Sequence, residues 1–271
     1  MIRKGGMVTV NPFSETWKRK MNTKPTGPVY FGPFEVTSQV FLTTPHSFAL
    51  VNLKPLLPGH VLVCPQEPHK RLTDLSALEL TDLFQAVQRV QRMLARHYFV
   101  SSSSSTTTTT TTAGEPVAAN ASGNADDASS SSSSSSSSVV AATPEAGSFN
   151  IAIQDGAGAG QTVPHVHVHV IPRIAGETEK DERTVGDAVY EQMAAEEGNV
   201  GGALWDRDLA AKKGSAEGRP VPGGAFARIE DASRLGRSAE VMEAEAELFR
   251  GVLAAMARDE LRDEKTGEET Q

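Results

Sequence analysis

A chain of 271 residues, 38% of them apolar, can bury one or two soluble cores, while its 34 acidic against 26 basic side chains, a net charge of -8, give nucleic acid or a membrane surface no general attraction. The single cysteine, Cys64, excludes an internal disulfide and, inside the apolar run 61–64, reads as a buried thiol in a reducing compartment. No run approaches the roughly 20 apolar residues of a membrane-spanning helix, so the expected setting is cytoplasmic, with the nucleus as an alternative, and no membrane and no nucleic acid among the partners.

Residues 1–28 carry Arg3, Lys4, Lys18, Arg19, Lys20 and Lys24 against one acid, Glu15. The pattern predicts a disordered basic extension, with a mitochondrial transit peptide as the alternative. From residue 29 short apolar runs alternate with turn signals, predicting strands over 36–43, 48–52 and 60–64. Lys54-Pro55 and Leu57-Pro58-Gly59 separate them, because proline cannot donate to a ladder and glycine permits positive φ.

Ser76-Ala77-Leu78-Glu79 fits a capping box, and Leu80, Leu83, Phe84, Val87, Val90 and Leu94 then recur at helical spacing. They predict an amphipathic helix of about 20 residues whose stripe is core. Residues 100–146 collapse into serine and threonine runs with almost nothing apolar to bury, so this stretch is expected to be a disordered loop interrupting the domain.

Order is expected again in a strand over 148–153, a glycine-rich turn over 154–161 and a second strand over 164–173, together a hairpin. Beyond Arg173 the chain is polar; Gly201-Gly202 and the proline and glycine residues of 220–224 predict a second long loop over about 194–236. A last helix opens at Ser238, with Val241, Ala244, Leu248 and Val252 on its apolar side, and 259–271 reads as a charged, frayed tail. The domain so defined runs over 29–258.

The hairpin's second strand carries the chemistry. His165-Val166-His167-Val168-His169-Val170 alternates with period 2, placing three of the chain's seven histidines on one face and the valines on the other. With about 3.3 Å per residue, the outer two α-carbons lie about 13 Å apart, so three imidazoles on one tetrahedral zinc would be strained. A row of donors matches an extended anion instead, and the glycine loop before it offers main-chain N–H groups to a phosphate chain. A neutral imidazole is also a nucleophile toward phosphorus, and His167, flanked on both sides, is the expected attacker. Neither a dinucleotide-binding G-x-G-x-x-G fingerprint nor a Walker A sequence is present.

His165-Val-His167-Val-His169-Val-Ile171 resembles the histidine-triad signature, and Phe48-Ala-Leu-Val-Asn52, Pro58-Gly-His-Val-Leu-Val-Cys-Pro65, Asp82-Leu-Phe-Gln85, Gln154-Asp-Gly156 and Gly160-Gln-Thr-Val163 resemble its fragile-histidine-triad branch. The resemblance implies an α+β fold: an antiparallel sheet of about five strands, one long helix and a C-terminal helix, in a homodimer. It implies hydrolysis of dinucleoside polyphosphates, diadenosine triphosphate to AMP and ADP, through a covalent nucleotidyl-histidine. By motif position His167 would be the nucleophile, His165 and His169 would contact phosphate, and His60 would support the nucleophile from behind. Asn52 would hold the ribose, and Gln154, Gly160, Gln161, Thr162 and Val163 the phosphate chain. Phe34 stands where the family commonly has a nucleotide-contacting histidine, so it could stack on a base but not hydrogen-bond to one. No tightly bound cofactor is implied beyond a divalent cation, Mn2+ or Mg2+, accompanying the substrate. Tyr190 falls where the family has a tyrosine linked to signalling. Hydrolysis of an adenosine phosphoramidate, or a role as a nucleotide-polyphosphate sensor, are the alternative functions.

Overall fold

Valine-rich runs cut by proline and glycine build two sheets of unequal size. Tyr30–Phe31 (β1) and Phe34–Glu35 (β2) form a two-stranded hairpin. Val40–Thr43 (β3), Ser47–Val51 (β4), Val61–Pro65 (β5), Ser148–Ala152 (β6) and Val168–Arg173 (β7) form an antiparallel sheet in the order β3-β4-β5-β7-β6. The computed structural model describes residues 25, 27–99, 143–178, 187–209, 218–221 and 236–268. The expectations for 1–24 and 100–142 lie outside them.

β4 and β5 are buried at every position, which is why their sequences are continuous apolar runs with little alternation. At the turn between them Gly59 has a φ of 74°, and a Cβ there would lie 2.6 Å from the Tyr98 ring and 2.9 Å from Pro172. The long helix Ala77–Tyr98 (α1) begins as expected, with Ser76 accepting from the Glu79 N–H and Glu79 returning a bond to the Ser76 N–H. Its buried stripe differs in part from the expected one: Leu83, Val87, Val90 and Leu94 are in the core, whereas Leu80 and Phe84 are both 39% exposed. Asp82 and Arg89 fill the buried face instead, Asp82 accepting from the Thr44 hydroxyl and Arg89 paired with Glu260.

Two further helices, Ala188–Ala194 (α2) and Val200–Asp208 (α3), occupy sequence that reads as polar loop. Each starts on a side-chain cap, Asp187 accepting from the Val189 N–H and Asn199 accepting from the Gly202 N–H. The last helix, Ala239–Glu268 (α4), stays helical as far as Glu268, over the described part of the expected frayed tail. Its buried side is Met242, Ala246, Phe249 and Leu253, offset by one position from the expected face; Val241 and Leu248 are exposed. Both stripes have helical spacing, and the one with the bulkier side chains, including Phe249 packed edge-on against Phe41, is the one that fills the core.

Strand alternation makes the sheet two-sided. Val168 and Val170 join the main core with residues of α1 and α4, while the opposite face presents His169 and Ile171, the latter packed with Leu56 and with Val189 and Met193 of α2. The histidines therefore lie on the face away from the long helices.

Candidate active site

The expected strand over 164–173 pairs with the sheet only from Val168. Pro164 has no N–H to give, the His165 N–H turns back to the Val163 carbonyl at 2.8 Å, and the Val166 N–H goes to the His69 carbonyl at 2.7 Å, so the first half is held by turns and not by a ladder. The imidazoles still gather. His165 and His167 pack on Phe31 with ring centroids 5.6 and 5.1 Å away, His167 lies 4.9 Å from His169, and His169 lies 5.2 Å from His60.

Main-chain groups fix the tautomer of each ring, because an N–H can only donate and a carbonyl can only accept. The Leu56 N–H donates to His60 Nδ1 at 3.1 Å, so His60 carries its proton on Nε2 and donates it to His169 Nδ1 at 3.0 Å. His169 is then protonated on Nε2, a buried N–H with no partner among the described residues. His167 Nδ1 lies 2.8 Å from the His165 carbonyl and must donate to it, which leaves the lone pair on Nε2. His165 accepts from the Gly32 N–H at Nδ1, 3.1 Å, and donates from Nε2 to the Pro65 carbonyl, 2.9 Å.

Two consequences follow for the triad. A ring nitrogen with an in-plane lone pair, beside an unspent N–H on the neighbouring ring, is what attack at phosphorus with support for a phosphate oxygen requires. The expected phosphate contact from His165 gives way, since both its nitrogens are spent on the fold. His165 instead pins Gly32 of the β1–β2 turn to the end of β5.

Burial keeps all four rings neutral. Chiefly through loss of water, with a smaller repulsion from His167 and Arg237, His60 is pushed down to about 3. Burial likewise drops His165 to about 4, against the raising effect of its bond to the Pro65 carbonyl. His167 is lowered by burial and partly restored by its bond to the His165 carbonyl, and His169 is lowered well below the ordinary histidine range by burial and by His167 and His60. A neutral His167 suits a nucleophile.

The glycine loop closes largely on itself. The N–H groups of Gly160 and Gln161 bond to the carbonyls of Ala157 and Gly156 at 3.0 and 3.2 Å, so they do not face a ligand. The Gln161 side chain is a staple, its Oε1 accepting from the Gly156 N–H and its Nε2 donating to the Lys70 carbonyl. Asp155 ties the loop to the start of the helical layer by accepting from the Leu72 N–H at 3.0 Å and from Arg71 at 3.2 Å. Gln154 donates from Nε2 to the Met193 carbonyl, and the Thr162 hydroxyl accepts from the Gly201 N–H at 3.0 Å. Val163 is fully buried, its Cγ1 2.7 Å from where a Cβ on Gly32 would stand, so only its main chain is available to a phosphate.

Asn52 lies beside His60, its Oδ1 accepting from the Lys54 N–H at 3.0 Å and its Nδ2 3.4 Å from His60 Nε2. Phe34 does not present an open stacking face: it is 2% exposed, in a cluster with Phe31 and with Val200, Leu204 and Trp205 of α3. Tyr190 is exposed, with its hydroxyl accepting from Asn150. The contributions of Met193, Gly201 and the carbonyl of Pro65 are main-chain groups, invisible to any pattern of side chains.

Among the described residues no three histidine, cysteine or acidic side chains cluster as a metal site, and no helix is long and apolar enough to cross a membrane. The family model described as the HIT domain matches residues 33–176, over half of the chain. The chain belongs to the HIT family. Within that family it is 35% identical over 223 residues to a bis(5'-nucleosyl)-tetraphosphatase [asymmetrical] of Schizosaccharomyces pombe, covering 82% of this chain and 93% of that one. It is also 35% identical over 168 residues to a bis(5'-adenosyl)-triphosphatase of Dictyostelium discoideum, covering 62% of this chain and 78% of the relative. Among solved HIT structures it is similar to the Caenorhabditis elegans NitFhit protein, with a TM-score of 0.44 and 27% identity, covering 85% of this chain and 31% of that longer one. The HIT match ends at residue 176, so α2, α3 and α4 lie beyond it.

Proposed function

We propose that this HIT protein hydrolyses dinucleoside polyphosphates, cleaving diadenosine triphosphate to AMP and ADP. The observation that carries the reading is the fixed tautomer of His167, with Nδ1–H held by the His165 carbonyl and the Nε2 lone pair left beside the unpaired Nε2–H of His169. In the first step Nε2 forms a bond to the α-phosphorus and the bond to the bridging oxygen breaks, releasing ADP. In the second, water attacks the same phosphorus, the P–N bond breaks, and AMP and the free imidazole return. His169 donates to a phosphate oxygen, and His60 holds that donor in place through the 3.0 Å bond to Nδ1. Asn52 holds the ribose, and Gln154, Thr162 and the main chain of Val163 hold the phosphate chain. Neutral imidazoles leave the charge of the polyphosphate to be met elsewhere, and a divalent cation, Mn2+ or Mg2+, arrives with the substrate in this reading.

A second polyphosphate length has its own support. The relative matched over 93% of its length is named for asymmetrical cleavage of a tetraphosphate, and the same attack on that substrate yields AMP and ATP. Incubating purified protein with the triphosphate and the tetraphosphate separately, and resolving products by chromatography, tests both. AMP with ADP, or AMP with ATP, is the expected outcome, and His167→Ala should lower either rate by on the order of 10⁴ or more. Two substrates left intact, or full activity in His167→Ala, would refute the proposal.

The chain also forms a homodimer in this reading. β6 is the edge strand of the sheet, and it carries the partly exposed Ile151 on an outer rim that bonds to no other strand among the described residues. Light scattering giving a monomer mass at micromolar concentration would refute it.

A further inference from the structure

We propose that Arg237, which lies beyond the HIT match and just ahead of α4, is a positioning residue of the active site, holding Asn52 in register beside His60. β4 ends at Val51, so the carbonyls of Asn52 and Leu53 have left the sheet ladder and need other donors. Arg237 supplies them from 185 residues away: Nε and one terminal nitrogen grip the Asn52 carbonyl at 3.1 and 2.5 Å, and its own main-chain N–H bonds to the Leu53 carbonyl at 3.0 Å. The remaining terminal nitrogen lies 2.7 Å from the Glu245 carboxylate of α4, which aims the guanidinium. Gly236 packs on the Leu53 side chain, with the nearest atom 3.4 Å from where a Cβ would be.

The grip acts where placement matters. The Asn52 side chain is buried, its Oδ1 held by the Lys54 N–H, while its Nδ2 lies 3.4 Å from the protonated Nε2 of His60, donor facing donor, and gains no bond there. Its own side-chain bonds are thus too few to fix it, and the main-chain carbonyl held by Arg237 sets where the side chain hangs. A planar fork onto one oxygen is a geometry that arginine provides and lysine does not. The segment leading into the C-terminal helix thereby supports a site whose histidines, Asn52, Gln154 and Thr162 all precede residue 170.

The inference rests on the reading of Asn52 as a substrate contact, and its test separates the two. Arg237→Ala removes the grip, and Arg237→Lys keeps a positive charge opposite Glu245 without the fork. In steady-state assays on the dinucleoside polyphosphate that the wild type cleaves, both variants should raise KM by about tenfold, the scale of a lost hydrogen bond to a charged group, with kcat changed less than about threefold. Calorimetric titration with AMP should show the same loss of affinity without turnover. In ligand-free protein, the Asn52 side-chain amide resonances, assigned by comparison with Asn52→Ala, should shift and broaden in Arg237→Lys. Should Arg237→Ala fail to fold, Arg237→Lys decides alone. An unmoved Asn52 resonance in Arg237→Lys overturns the proposal even if the wild type turns over no nucleotide, and so does a fall in kcat at unchanged KM and AMP affinity.

Discussion

His165 and His167 are two residues apart, equally buried and chemically identical, yet they differ in what their nitrogens have left to give. Both nitrogens of His165 are bonded to main chain, whereas His167 keeps one lone pair. His165→Ala should therefore cost stability more than chemistry. It leaves the Gly32 N–H and the Pro65 carbonyl without partners, at about 1–3 kcal/mol each where buried. Urea unfolding should register that loss, and the single-turnover rate constant of the folded fraction should stay within about tenfold of wild type; a collapse of that rate in well-folded variant would restore His165 to the chemistry. The triad's membership was legible from alternation alone, but the division of labour was not, because it is written in carbonyls and amides that every sequence has.

The same burial makes the site acid-sensitive. His60, His165, His167 and His169 all have folded-state values below the ordinary 6.5, first through desolvation, reaching about 3 for His60 and about 4 for His165. The unfolded chain binds protons as pH drops through 6.5 and the folded chain does not, so stability is full above that pH and falls below it. Each such histidine contributes a slope of up to about 1.4 kcal/mol per pH unit once the unfolded form is protonated. The urea midpoint should thus decline steadily from pH 7 to pH 5, above the range where the carboxylates titrate. A flat midpoint across that window would mean the rings are solvated.

For the elements, the strands and α1 followed from apolar runs and a capping box, while α2 and α3 hid behind alanine, glycine and acid. Gly201-Gly202 reads as loop punctuation, yet it forms the first turn of α3 for a tertiary reason. A Cβ on Gly201 would stand 2.5 Å from the Thr162 carbonyl oxygen, and one on Gly202 would stand 2.3 Å from the Asn199 amide that caps the helix. Glycine here is a condition of close approach between helix and phosphate loop, a contact no local pattern encodes. Gly201→Ala should push α3 off Thr162, breaking the 3.0 Å bond between the Gly201 N–H and the Thr162 hydroxyl. The expected loss is about 1–3 kcal/mol of stability by overpacking, read in urea, together with faster hydrogen exchange of the α3 amides. Unchanged exchange would show that the helix does not depend on that seat. The offset of α4 by one position has a simpler cause: it carries two apolar stripes, and volume chose between them.

At the scale of the molecule, the family match stops well before the fold does. Residues 33–176 supply the sheet, α1 and the triad, but the main core also contains Met242, Ala246, Phe249 and Leu253 of α4. Arg250 reaches from the same helix to the Val40 carbonyl, and Arg89 and Arg96 of α1 pair with Glu260 and Asp259. Burying a large apolar side chain stabilises by about 1.5–3 kcal/mol, so Met242, Phe249 and Leu253 together carry roughly 5–9 kcal/mol. A whole domain of ordinary size is stable by only about 5–15 kcal/mol. A chain ending at residue 235 should accordingly lose cooperative folding even though it retains the complete HIT match and all four site histidines. Circular dichroism on heating should show no sharp transition for it, while the full chain melts in one. If the shortened chain instead melted cooperatively, the helix would be an accessory on a self-sufficient domain. The guanidinium of Arg237 would then have only the site, and not the fold, to explain its reach back to Asn52.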